Sequence, residues 1–161
     1  MTIAALKQEL KAAATPERAA GAARYFKTGL GEYGEGDVFL GVTVPALRKI
    51  ALRYKSLSLD ELQRLLESKE HEYRAVALEI LVAQHRHGDE AVRKDILKMY
   101  LRNTRYINNW DLVDLSCGEI VGGPFEGGID EAARQIGEVE EYVGTAYRDD
   151  IHDGPGPAGR R

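Results

Sequence analysis

Hydrophobic residues recur at intervals of three and four along most of the chain, the spacing of one face of an α-helix. Residues 2–13 read as a first helix, with Thr2 as cap and Ile3, Leu6 and Leu10 on one face. Thr15-Pro16-Glu17 opens a second, running to about Phe26, with a hydroxyl N-cap and proline at the first helical position. Pro45 starts a third, with Leu47, Ile50, Ala51 and Tyr54 turned inward. Ser58 and Glu61 form a capping-box pattern for a fourth, striped by Leu62, Leu65 and Leu66. The spacing predicts a fifth helix over 70–86, with Tyr73, Val76, Ala77, Ile80, Leu81 and Gln84, and Gly88 ending it. Asp89 caps a sixth, through about Arg102, with Val92, Ile96, Leu97 and Tyr100. Asn108 or Asn109 caps a seventh, which contains Trp110, Leu112, Val113, Leu115 and Ile120.

Between the second and third helices, Thr28 to Gly41 holds glycines at 29, 31, 34, 36 and 41. No helix survives that density, so this is a long loop. No segment reads as a strand, and the expected fold is all-α. Short antiparallel helices, about 40 residues per pair, fit a HEAT-like helical-repeat solenoid. Periodicity alone leaves an irregular helical bundle as the alternative.

Composition divides the chain. Its 161 residues suggest one domain, two at most, and 43% apolar content suffices for a core. Up to Val121 there are 18 Lys and Arg against 17 Asp and Glu; beyond it there are 4 against 9. That last stretch also holds 9 of the 17 glycines and three of the five prolines. The expected organisation is a helical domain over 1–121, followed by a Gly-rich, acidic, weakly structured tail over 122–161. Ile129, Ile136, Val139 and Tyr142 allow one short helix there, over about 129–142. No apolar run approaches the roughly 20 residues of a membrane span. The opening MTIAALKQELKAAA mixes charge with apolar residues and does not read as a secretory leader. The lone Cys117 cannot form an internal disulfide, which points to a reducing cytoplasm.

Most candidate chemistry is weak. Cys117 has no base nearby in sequence, and reads as a small buried hydrophobe. His85 and His87 fall on different helix faces, which suits no ordinary metal site and fits a solvated helix end. The glycine loop follows a helix and lacks a Gly-Lys-Ser/Thr sequence, unlike a nucleotide-phosphate loop. Two features stand out. Lys94, Lys98 and Arg102 recur every four residues, and Arg105 extends the stripe. Such a row suits a phosphate backbone through counterion release, and equally suits a solvated helix face. Trp110 and Asp114 are four apart, hence neighbours on one face. An aromatic plane beside a carboxylate suits a cationic ligand or a cationic transition state. A packed core tryptophan with a surface aspartate is the plainer alternative.

Two separated motifs carry a resemblance. The first runs through Tyr25-Phe26-Lys27-Thr28-Gly29, Glu32-Tyr33-Gly34-Glu35-Gly36-Asp37, Phe39-Leu40-Gly41-Val42 and Pro45-x-Leu47-Arg48; the second is Asn109-Trp110-Asp111-x-Val113-Asp114. Together they resemble the AlkD-like DNA alkylation repair family, over roughly residues 1–121. The resemblance implies a HEAT-like solenoid whose concave, basic surface grips duplex DNA. It implies hydrolysis of the N-glycosidic bond of cationic N3- or N7-alkylpurines without base flipping. It places Trp110 on the lesion's deoxyribose. It gives Asp114 the tasks of stabilising the oxocarbenium-like sugar and positioning water. It implies no metal and no organic cofactor; the partner is double-stranded DNA with alkylated purines. A non-catalytic helical-repeat module binding DNA or protein is the competing function, and a poorly folded product without activity a third.

The resemblance also implies further helices and a Trp-x-Arg-Arg-Ile-Ala type motif, which nothing after Val121 supplies. Degenerate codons for Tyr142 to Asp153, read one base later, permit Trp-Glu-Arg-Arg-Ile-Ala. A frameshifted tail, and with it a C-terminally truncated solenoid of impaired activity, is therefore expected; the coding DNA tests it.

Overall fold

The structure is a computed structural model that describes residues 1–32 and 34–122; the expectations for the tail lie outside these residues. The described residues form seven α-helices: α1 (Ile3–Ala13), α2 (Pro16–Tyr25), α3 (Val44–Arg53), α4 (Leu59–Leu66), α5 (His71–His87), α6 (Glu90–Arg102) and α7 (Trp110–Ile120). A 3₁₀ turn, Thr104–Tyr106, precedes α7. Among the described residues, extended pairing is confined to a single parallel bridge between Val38 and Glu70.

Local chemistry explains the helix starts. The hydroxyls of Thr2 and Thr15 accept from the amides of Ala5 and Arg18, and Asp89 accepts from Val92. Ser58 and Glu61 complete both halves of the capping box. Each bond satisfies an amide that the first turn would otherwise leave unpaired.

The helices stack as an all-helical repeat. α3, α5 and α7 lie side by side, α4 packs on α5, and α6 packs on α5 and α7. Outside the glycine loop, consecutive helices are joined by connections of only a few residues. α1 closes the near end against α3, burying Leu6 and Leu10 completely. α5 is the hub, touching α3, α4, α6 and α7. It is consequently buried on nearly every side from His71 to Val82, not on the single stripe that periodicity suggested. Val92 is 41% exposed and Val113 38% exposed, so α6 and α7 turn narrower faces inward than their apolar content alone suggests. One further expectation is corrected. Cys117 is only half-buried, since it lies two turns beyond Trp110 on a partly solvated face.

The glycine loop is fixed at both ends. Gly41 has φ +85°, and a Cβ there would stand 2.2 Å from the Thr15 carbonyl oxygen and 2.5 Å from the Ala19 nitrogen. Loop backbone thus lies directly on the start of α2, and Thr15 donates its amide to the Gly41 carbonyl at 3.2 Å. Only glycine meets both conditions. Gly41→Ala is expected to lower unfolding stability by roughly 1–3 kcal/mol, read as a lower urea midpoint at constant slope.

Candidate functional site

One face of the inner layer is hollowed into a groove of about 540 Å³, lined from α2, the end of the glycine loop, α3, α5 and α7. Trp110 and Asp114 both line it. They open onto it from the first two turns of α7, with the indole 46% exposed and Asp114 exposed. The alternative of a core tryptophan is thereby removed. Arg18 and Arg48 are the arginines of the lining, which also includes His71, and Arg48 donates to Glu79 at 2.8 Å. Lys94, Lys98, Arg102 and Arg105 belong to α6 and the turn after it. None of them lines the groove, so the structure does not bring that stripe together with Trp110 and Asp114.

An aromatic cluster supports the indole. Phe26 lies 5.5 Å from Trp110 by ring centroid, and Tyr25 meets it edge-on at 6.0 Å. Phe26 stacks on Phe39 at 5.2 Å, and both stack on the His71 imidazole, at 5.4 and 4.6 Å. The end of α2, the loop, α5 and α7 therefore meet in one set of rings.

Behind the rings sits a buried charge cluster that spacing did not reveal. His71 Nε2 is 2.7 Å from Asp111 Oδ2, and His71 Nδ1 is 3.6 Å from Asp37 Oδ2. Arg74 Nη2 pairs with the same Asp37 oxygen at 2.8 Å, and Asn108 donates to Asp37 Oδ1 at 3.3 Å. Burial pushes the Asp37 carboxyl up, but hydrogen bonding to His71 and Arg74, with the arginine's charge, outweighs it and holds the group well below the usual carboxylate range. For His71 burial opposes the charged ring, yet the bond to Asp111 and the adjacent Asp37 raise it overall above its ordinary 6.5. Glu72, one residue on, anchors the loop. Its buried carboxylate accepts the amides of Leu40, Gly41 and Val42 at 2.8, 2.7 and 3.2 Å.

Phe26, Asp37, Phe39, Arg48 and Asp111 stand inside the motifs quoted above, but no role was legible for them. The available signal was His71-Glu72-x-Arg74 opening an otherwise apolar helix. Ionisable residues at that density on a helix buried all round must find partners.

This fold and groove define a helical-repeat protein with an aromatic and acidic surface site. A model of the family described as DNA alkylation repair enzyme matches residues 6–136, and the chain belongs to that family. The match contains both motifs and continues past Val121. Membership supports a role in DNA repair generally. No curated protein and no solved structure matched the chain. No helix among the described residues is long and apolar enough to cross a membrane.

Proposed function

We propose that the chain is a DNA glycosylase that hydrolyses the N-glycosidic bond of cationic N3- and N7-alkylpurines in duplex DNA, without flipping the base. The observation that carries this reading is the placement of Trp110 and Asp114 in the same groove, one turn apart and both accessible. The indole packs on the deoxyribose and fixes its distance from the acid. As the C1′–N bond breaks, its electron pair neutralises the departing purine and positive charge moves to the sugar. Asp114 faces the place where that charge develops, so its attraction is stronger in the transition state than in the ground state. Water held by the carboxylate attacks C1′ and gives its proton to that carboxylate, which releases it to solvent, leaving an abasic site. An alkylated purine already leaves as a neutral base, so no strong general acid is required.

Arg18 and Arg48 at the groove margin take the phosphates, with Lys94, Lys98, Arg102 and Arg105 as outlying backbone contacts. The test is release of free 7-methylguanine from methylated duplex by the full chain, with binding measured across salt concentrations. Release above the spontaneous rate is expected. Salt-sensitive binding without release would favour the non-catalytic module. Arg18→Ala with Arg48→Ala is expected to flatten the salt dependence by about two phosphate contacts and to weaken binding more than removal of the α6 stripe does. A stripe variant with the larger effect would move the DNA path off the groove.

A further inference from the structure

We infer that His71, clamped between Asp37 of the glycine loop and Asp111 of α7, is a positioning residue that sets the first turn of α7, and with it Trp110, against the groove. The consequence for base release rests on the function proposed above; the clamp itself does not.

The argument starts from donors and acceptors. Both imidazole nitrogens face a carboxylate oxygen, at 2.7 and 3.6 Å. The Nδ1 atom has no other hydrogen-bond partner, while Asp37 Oδ2 is shared with Arg74 Nη2 at 2.8 Å. A neutral imidazole has one N–H and can serve one acid only; the doubly protonated ring serves both. Charge leads to the same state. The side chains of His71, Asp37 and Arg74 are 4–6% exposed, and that of Asp111 is 25% exposed. With a protonated ring the four charges cancel. With a neutral ring a net negative charge is left in a poorly solvated place, which is costly.

The clamp reaches the indole by two routes. Asp111 is the residue after Trp110, in the first turn of α7. The His71 ring also stacks on Phe26 and Phe39, and Phe26 in turn touches Trp110. Every element around the ring contributes. The loop supplies Asp37, α7 supplies Asp111 with Asp114 further along, and α5 supplies Arg74 and Glu72. Arg18 of α2 and Arg48 of α3 line the same groove. The sign follows from the geometry. A proton held more tightly in the folded chain stabilises the clamp fully at low pH, and that contribution is lost as pH rises through the elevated value.

The chain has a single tryptophan, Trp110, so intrinsic fluorescence reports on this turn directly. The experiment titrates tryptophan emission of the full chain from about pH 5 to about pH 9, across the histidine range. A single transition centred above the ordinary histidine value is expected. His71→Gln should abolish it with helical circular dichroism retained. Asp111→Asn, which keeps the histidine and removes one acid, should move the midpoint down. A flat wild-type titration, or a transition unchanged in His71→Gln, would overturn the clamp. If His71→Gln does not fold, the Asp111→Asn midpoint decides: a downward shift supports the clamp and an unmoved midpoint overturns it. A chain that shows the transition but releases no base retains the clamp and refutes the glycosylase. Base release with no transition does the reverse.

Discussion

Asp114→Asn is expected to cut 7-methylguanine release from methylated duplex by about 10²–10³-fold while leaving the fold intact. Asp114 is exposed on the groove side of α7, where asparagine fits the same space and α7 keeps its buried residues Leu112, Ser116 and Ile120. The change removes charge and nothing else. The charge is needed only when positive character reaches the sugar, so affinity for the intact lesion should change little while the chemical step slows. Binding to undamaged duplex should stay equal or tighten slightly, because a carboxylate near phosphates is repelled by them. Unchanged release would remove Asp114 from the mechanism. Loss of binding as well as release would assign it to recognition.

The second large effect concerns stability. Glu72→Ala should lower unfolding stability by roughly 3–5 kcal/mol, by the cost of leaving several buried donors unpaired. Three loop amides depend on this carboxylate, and the residue is 4% exposed, so water does not replace the lost acceptor. A domain of this size has only about 5–15 kcal/mol in total, so the variant lies near the edge of folding at ambient temperature. Glu72→Gln keeps one acceptor oxygen and should lose less. Urea unfolding checks both. An alanine variant within about 1 kcal/mol of the parent would mean that the loop is held by Gly41 and the aromatic rings alone.

What could be read from sequence, and what could not, follows from range. The starts of α1, α2, α4 and α6 depend on a hydroxyl or carboxylate three residues from the amide it caps, and these were legible. The Trp110 and Asp114 pair was legible because one helical turn separates them. Whether it faced a core or a groove was not, since α7 carries apolar residues on several sides and only its packing on α5 and α6 decides which are covered. The Asp37–His71–Asp111 cluster joins residues 34 and 40 positions apart through tertiary structure alone. α5 misled for a related reason. A helix surrounded by four others shows no polar stripe, so its periodicity says little about where its ionisable residues point.

The indole of Trp110 is half exposed, yet Tyr25 and Phe26 already pack against it. Its rotational freedom is largely given up during folding rather than at the moment of encounter. Ordering a side chain at an interface typically costs roughly 0.5–1.5 kcal/mol, and a wedged ring avoids most of that penalty. The surface should therefore meet its partner as a rigid template. Loosening the wedge, by trimming Phe26, should weaken binding by restoring that ordering cost.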